Sequence, residues 1–176
     1  GIMISQENPS IWQDQLYDSL RRHGITLFSY VPDAGHAIII NRSLNDSNAT
    51  SVPLTTEEEG VALLAGAHLG DKRGVLLMQS SGVGNCINML SLIAIGRFPF
   101  VTVVSMRGDF GEQNPWQFPM GQGTQPCLEA MGTRCYRVET PSEVAPTVDA
   151  ATGMAYRSNQ SVAILLSQRL IGAKKF

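Results

Sequence analysis

Charge is scarce in this chain. Only 16% of its 176 residues are Asp, Glu, Lys or Arg, and the formal balance is −2, so no basic tract marks a nucleic-acid surface. The apolar runs are too short to cross a bilayer, and Gly1-Ile2 ahead of Met3 reads as a cloning remnant rather than part of a signal peptide. Cysteine is limited to Cys86, Cys127 and Cys135, an odd number without a Cys-x-x-Cys pair. That pattern encodes neither a disulfide framework nor a thiolate zinc site, and it implies reduced, cytoplasmic residence. All three read as small packing residues rather than nucleophiles. His23, His36 and His68 are scattered without metal-ligand spacing, so no metal is assigned to this chain. His36 lies close enough to Pro32 to be kept as a candidate substrate contact. Also missing are G-x-G-x-x-G with a ribose-binding acid, G-x-x-x-x-G-K-[ST] and G-x-S-x-G, which argues against a dinucleotide enzyme, a P-loop enzyme and a serine hydrolase.

What is present is 43% hydrophobic residues in an alternating rhythm, at a length suited to one domain spanning 1–176. Helical spacing is expected from Asn8 to about Arg22, from Gly35 to Ser43, from about Gly84 to Ile95, from Cys127 to Met131 and from Pro141 to Tyr156. Strand-like runs fall at 25–31, around Val52, at 74–79, 98–105, 135–138 and 162–166. About six strands interleaved with helices predict an α/β fold, a doubly wound and mostly parallel sheet with helices on both faces. In such a sheet a ligand lies at the carboxyl ends of the strands, which selects the loops at 32–34, before Glu57, at 80–85 and at 106–123. The last of these is rich in Gly and Pro and reads as one long loop, either functional or a cover for a sheet edge.

The most informative segment is Thr55-Thr56-Glu57-Glu58-Glu59-Gly60-Val61, which opens a helix otherwise made of small and apolar residues. On spacing alone its acids suit a capping box and the helix dipole. That capping role is the one spacing favours, although a carboxylate there can also be pulled into a dry interface. After the next strand, Ser80-Ser81-Gly82-Val83-Gly84-Asn85 forms a glycine turn that can bring backbone amides close to a ligand, or can serve geometry alone.

Taken together, Val31-Pro32, the Glu57 helix with its Ala-Gly-Ala-His-Leu ending, Ser81-Gly82-Val83-Gly84-Asn85 and Met106-Arg107-Gly108 resemble the pyrimidine-binding (PYR) domain of thiamine diphosphate-dependent 2-oxo acid decarboxylases. Within that family the pattern is most similar to alpha subunits acting on sulfopyruvate, with phosphonopyruvate decarboxylases next; Glu-Glu-Glu-Gly-Val and Pro119-Met120-Gly121 are the more specific parts. The resemblance implies that Glu57 is the catalytic acid, hydrogen-bonded to N1′ of the cofactor's aminopyrimidine. Sharing that proton needs a desolvated carboxyl group whose protonated form is accessible. It also implies Pro32 and Val83 as apolar walls, Ser81 and Gly82 as cofactor contacts, and Gln117 as the counterpart of a catalytic polar residue in the later loop.

The departures are as specific. Relatives carry a polar group two places after the first-loop proline, where this chain has Ala34. The family's Gly-Asp-Gly motif with a later Asn, which holds Mg²⁺ and the diphosphate, is absent, and Gly108-Asp109-Phe110-Gly111 does not replace it. The resemblance therefore implies that thiamine diphosphate is shared with a partner chain. Mg²⁺ would be bound by a beta subunit carrying the diphosphate-binding (PP) domain, in a hetero-oligomer or, when isolated, a homo-oligomer. A 2-oxo acid bearing a sulfonate or phosphonate needs a cation, with Arg107 the candidate substrate contact and Arg97 read as a surface arginine. An acetolactate-type carboligation, a non-catalytic PYR-like binding or regulatory module, and a flavodoxin-like nucleotide binder stay open as alternatives.

Overall fold

In the computed structural model, residues 11–172 are described. The chain runs α1 (Ile11–Arg22), β1 (Ile25–Tyr30), α2 (Ala37–Leu44), β2 (Thr50–Pro53), α3 (Glu57–Leu69), β3 (Arg73–Gln79), α4 (Ser80–Val83), α5 (Leu90–Gly96), β4 (Phe100–Ser105), α6 (Phe118–Ala130), β5 (Arg134–Val138), α7 (Val144–Ser158), β6 (Ser161–Leu166) and α8 (Gln168–Ile171). The expected start of the first helix at Asn8, and the proposed remnant at 1–2, fall outside the described residues.

All six strands are parallel, in the order β2-β1-β3-β4-β6-β5. The doubly wound α/β expectation is borne out, and its cause is visible in the side chains. Successive residues of a strand point to opposite faces. Val75 and Leu77, Val101 and Val103, and Val162 and Ile164 turn to a core shared with Leu16 and Leu20 of α1, Ile39 of α2 and Val148 and Ala151 of α7. Leu76 and Met78, Phe100 and Val104, and Ala163 and Leu165 turn to a second core with Val61 and Leu64 of α3, Ile93 of α5 and Leu128 of α6. Burial on both faces explains why the central strands carry unbroken apolar runs while the edge strand β2 does not.

From β1 the chain first winds outward to β2, then returns to the other side of β1 for β3. The connections leaving the carboxyl ends of the paired strands β1 and β3 therefore diverge at a topological switch point, with β4 beside β3.

Two expectations are corrected. The helix expected over 84–95 is broken: α4 ends at Val83, and regular helix resumes only at Leu90. The loop expected over 106–123 stops earlier, because a 3₁₀ turn at Pro115–Gln117 leads directly into α6 at Phe118. Pro119 sits in the first turn of α6, where a missing N–H breaks no helical bond.

Candidate active site

Three loops meet at the switch point: 31–33 after β1, the α4 turn after β3 and the segment from Met106 after β4. The first turn of α3 joins them from the side, and its three acids divide the work. Thr56 and Glu59 form the capping box, with Glu59 Oε1 accepting the Thr56 backbone N–H at 3.1 Å. Glu58 is exposed. Glu57, half-buried, turns to the α4 turn, where its Oε2 accepts the Asn85 side-chain amide at 2.9 Å. Its carboxyl group lies over the Cα of Gly82; a methyl group there would stand 2.5 Å from Oε1 and 2.6 Å from the carboxyl carbon. Among the described residues, Oε1 accepts no hydrogen bond.

A second cluster adjoins α4. Gln79, the last residue of β3, donates through Nε2 to Asp33 Oδ1 at 3.2 Å, and its Oε1 accepts from Ser81 Oγ at 2.6 Å and from Gln117 Nε2 at 3.3 Å. Ser105, the last residue of β4, donates to Asp33 Oδ2 at 2.5 Å. Gln117 Oε1 is buried without a partner, an arrangement that leaves one strong acceptor open toward a donor. A cavity of about 170 Å³ opens beside Asp33 and Ser105. A larger cleft, about 570 Å³, lies at the opposite end of the sheet between α1 and α2, but Tyr17, Arg42 and Asp46 in its wall already pair with neighbouring side chains.

The candidate residues are thus brought together in part. Glu57, Gly82, Ser81 and Gln117 converge on α4, and Pro32 is exposed beside Asp33. Val83 is fully buried in the second core, so its side chain supports the turn from below rather than forming an open wall. At Gly82 the space a side chain would take is filled by the Glu57 carboxyl.

Two expected substrate contacts are corrected. His36 is fully buried with Nε2 donating to the Met78 carbonyl at 2.9 Å, and burial holds its pKa below 6.5 although that hydrogen bond acts in the other direction. Arg107 grips Glu112 with both forks, at 2.5 and 2.7 Å, with side chains only 9% and 2% exposed. The Glu112 carboxylate also accepts the backbone N–H groups of Gly108 and Asn114, and the Arg107 guanidinium first, then these donors, hold its pKa far below the usual range. The cation staples its own loop and is neutralised there. Cys86 packs in the second core, where burial pushes its thiol up to about 12, as expected of a packing residue.

Gln79 and Ser105 were not named from sequence, and Asp33 and Asn85 were included only as parts of the selected loops 32–34 and 80–85, with no role of their own. Each sits at the carboxyl end of a strand or in the loop that follows it, and that position is the signal that could have found them. Among the described residues no three His, Cys, Asp or Glu side chains are grouped to hold a metal ion, and no helix is long and apolar enough to cross a membrane.

The chain is 34% identical over 154 residues to the alpha subunit of sulfopyruvate decarboxylase from Methanococcus maripaludis, covering 87% of this chain and 92% of that protein. It belongs to the sulfopyruvate decarboxylase alpha-subunit family. The Methanocaldococcus jannaschii member of this family is 34% identical over 151 residues, 85% of this chain and 89% of its own length. A phosphonopyruvate decarboxylase from Streptomyces viridochromogenes is 36% identical over 108 residues, but that match covers 60% of this chain and 27% of that protein. No protein-family model matches. Among solved structures, 2-oxoglutarate:ferredoxin oxidoreductase from Magnetococcus marinus, with 2-oxoglutarate, coenzyme A and succinyl-CoA bound, shares the fold at a TM-score of 0.68 and 18% identity. That match covers 91% of this chain and 29% of the other.

Proposed function

We propose that this chain is a PYR-type domain, the alpha subunit of a cytoplasmic, heteromeric thiamine diphosphate-dependent decarboxylase acting on sulfopyruvate or a similar 3-substituted pyruvate. The observation that carries the reading is the division of labour in α3: Glu59 caps the helix, and Glu57 is left with a half-buried carboxyl group at the switch point and one oxygen free of partners among the described residues. The donor set fits the pyrimidine end of the cofactor, which needs a carboxyl group for a ring nitrogen and an acceptor for an exocyclic amine. Glu57 Oε1 and the orphaned Gln117 Oε1 have those characters. When bound, thiamine diphosphate supplies an electron sink for the pair released as CO₂ leaves a 2-oxo acid.

In this reading Glu57 would hold a proton at Oε1, facing the ring nitrogen of the cofactor when it is bound. Gln79 holds Gln117, Ser81 and Asp33 in one frame, and the Asp33 carboxylate, oriented by Ser105, lines the small cavity next to that frame. Mg²⁺ and the diphosphate are assigned to a beta subunit with a PP domain. Because Arg107 is neutralised by Glu112, the cation that meets a sulfonate is assigned to that partner as well. The similarity to phosphonopyruvate decarboxylases keeps a phosphonate substrate as a second reading.

The test is Glu57→Gln in the pair reconstituted with its beta subunit. Turnover should fall by on the order of 10²–10⁴-fold with assembly intact. Near-normal CO₂ release would remove Glu57 from its role. Brisk turnover of another 2-oxo acid, with none of sulfopyruvate, would refute the substrate alone.

A further inference from the structure

The Glu57 carboxyl group is held on two sides by groups with no other visible task. Gly82 is buried, and the place of its missing side chain is filled by Glu57 Oε1, Cδ and Cγ, so a side chain there would push the carboxyl group out of its present seat. The Asn85 amide donates to Oε2 at 2.9 Å and makes no other hydrogen bond with its side chain among the described residues. The two contacts are spaced along the α4 turn, which is itself held by the Asn85 N–H on the Gly82 carbonyl at 3.0 Å. Three residues apart, Gly82 and Asn85 lie on the same side of this turn, the side that meets α3.

We infer that Gly82 and Asn85 are positioning residues that clamp Glu57, Gly82 by shape and Asn85 by a hydrogen bond that engages Oε2 and leaves Oε1 as the working oxygen. The clamp rests on the reading of Glu57 as the acid, and its consequence is selective. An amide donor makes the two carboxyl oxygens unequal, so the proton exchanged in the reaction has one defined seat. Without the donor the carboxyl rotates freely about its last bond, and the productive orientation becomes one of several; a misplacement of about 1 Å is enough to cost roughly 10²-fold.

The discriminating variant is Asn85→Asp, which keeps the shape of the side chain and sets a second carboxylate against the first. In the reconstituted pair, Asn85→Ala should lower kcat by about 10- to 100-fold with KM changed less than about 2-fold. Asn85→Asp should lose at least as much at neutral pH and regain activity on acidification, as the two carboxyl groups come to share one proton. In a Glu57→Gln background, Asn85→Ala should add almost no further loss. A second readout needs no cofactor: in the ¹⁵N-labelled full chain, the Asn85 side-chain amide signals should move with pH as Glu57 ionises, and lose that movement in Glu57→Gln and in Gly82→Ala. If Asn85→Asp matches wild type across pH, or if its amide signals ignore Glu57, the clamp is overturned while the role of Glu57 stands. If Glu57→Gln keeps its turnover, the acid itself is wrong, whatever the amide signals report.

Discussion

At the scale of single residues, the buried ionisable groups divide into those that build the loops and those left to work. His36 and Glu112 belong to the first kind. His36 is neutral in its site because burial lowers its pKa from 6.5, so the unfolded chain binds the proton more readily than the folded one. Its contribution to stability is complete above 6.5 and is lost as pH falls below that value. Glu112, depressed from 4.5 by Arg107, contributes fully above 4.5 and loses its contribution at still lower pH. Denaturant midpoints measured across pH should therefore decline in two stages on acidification. In His36→Gln, whose amide can still donate to the Met78 carbonyl, the first stage should shrink; an unchanged profile would show that His36 is not its source. The same contacts explain why two candidates were misassigned. Histidine and arginine near a loop look like ligand contacts in a linear reading, yet the atoms that engage them, the Met78 carbonyl and the Glu112 carboxylate, are recognisable only in three dimensions.

At the scale of elements, the helices and strands with long apolar periodicity were legible and those shaped by contact were not. The central strands β3, β4 and β6 announce themselves because both of their faces are buried. The beginning of α6 did not, because Gly121, Gly123 and Pro119 are turn formers by local rules. Gly121 is there for packing: a methyl group on it would run into the carbonyl oxygens of Arg107 and Gly108, so α6 approaches that loop backbone to backbone. Gly121→Ala should accordingly lower stability by about 1–3 kcal/mol in urea denaturation, as an overpacked contact does. It should also weaken the Gln117 to Gln79 hydrogen bond that α6 delivers at its N-terminal end. A stability equal to wild type would mean that the loop yields freely at this point. The helix expected from Gly84 begins only at Leu90, after the short α4 and a run of turns.

At the scale of the whole molecule, the arrangement of polar groups concerns one half of the proposed cofactor. The carboxyl end of the sheet offers Glu57, Gln117 and Asp33, which suit a pyrimidine and a substrate, and the remaining half falls to the partner in our reading. The isolated chain given thiamine diphosphate, Mg²⁺ and sulfopyruvate should release no CO₂ above background, and addition of the beta subunit should restore release. Removing Mg²⁺ from the pair with a chelator should abolish activity, and returning the ion should recover it. Decarboxylation by this chain alone would refute the divided site.

The residue pattern by itself determined the class of the fold and most of the order of its elements, because hydrophobic periodicity and turn chemistry act between neighbours along the chain. Spacing could not decide which of Glu57, Glu58 and Glu59 caps the helix and which faces the site, a choice the resemblance alone made in favour of Glu57, nor that Asp33 is framed by Gln79 and Ser105, nor that Arg107 is already neutralised. Those outcomes depend on the strand order that sets β1, β3 and β4 side by side. Asp33 and Ser105 are 72 positions apart and meet only because the sheet brings the ends of their strands together. Hydrogen bonds and ion pairs act over a few ångströms of space, and the distance along the chain carries no record of them.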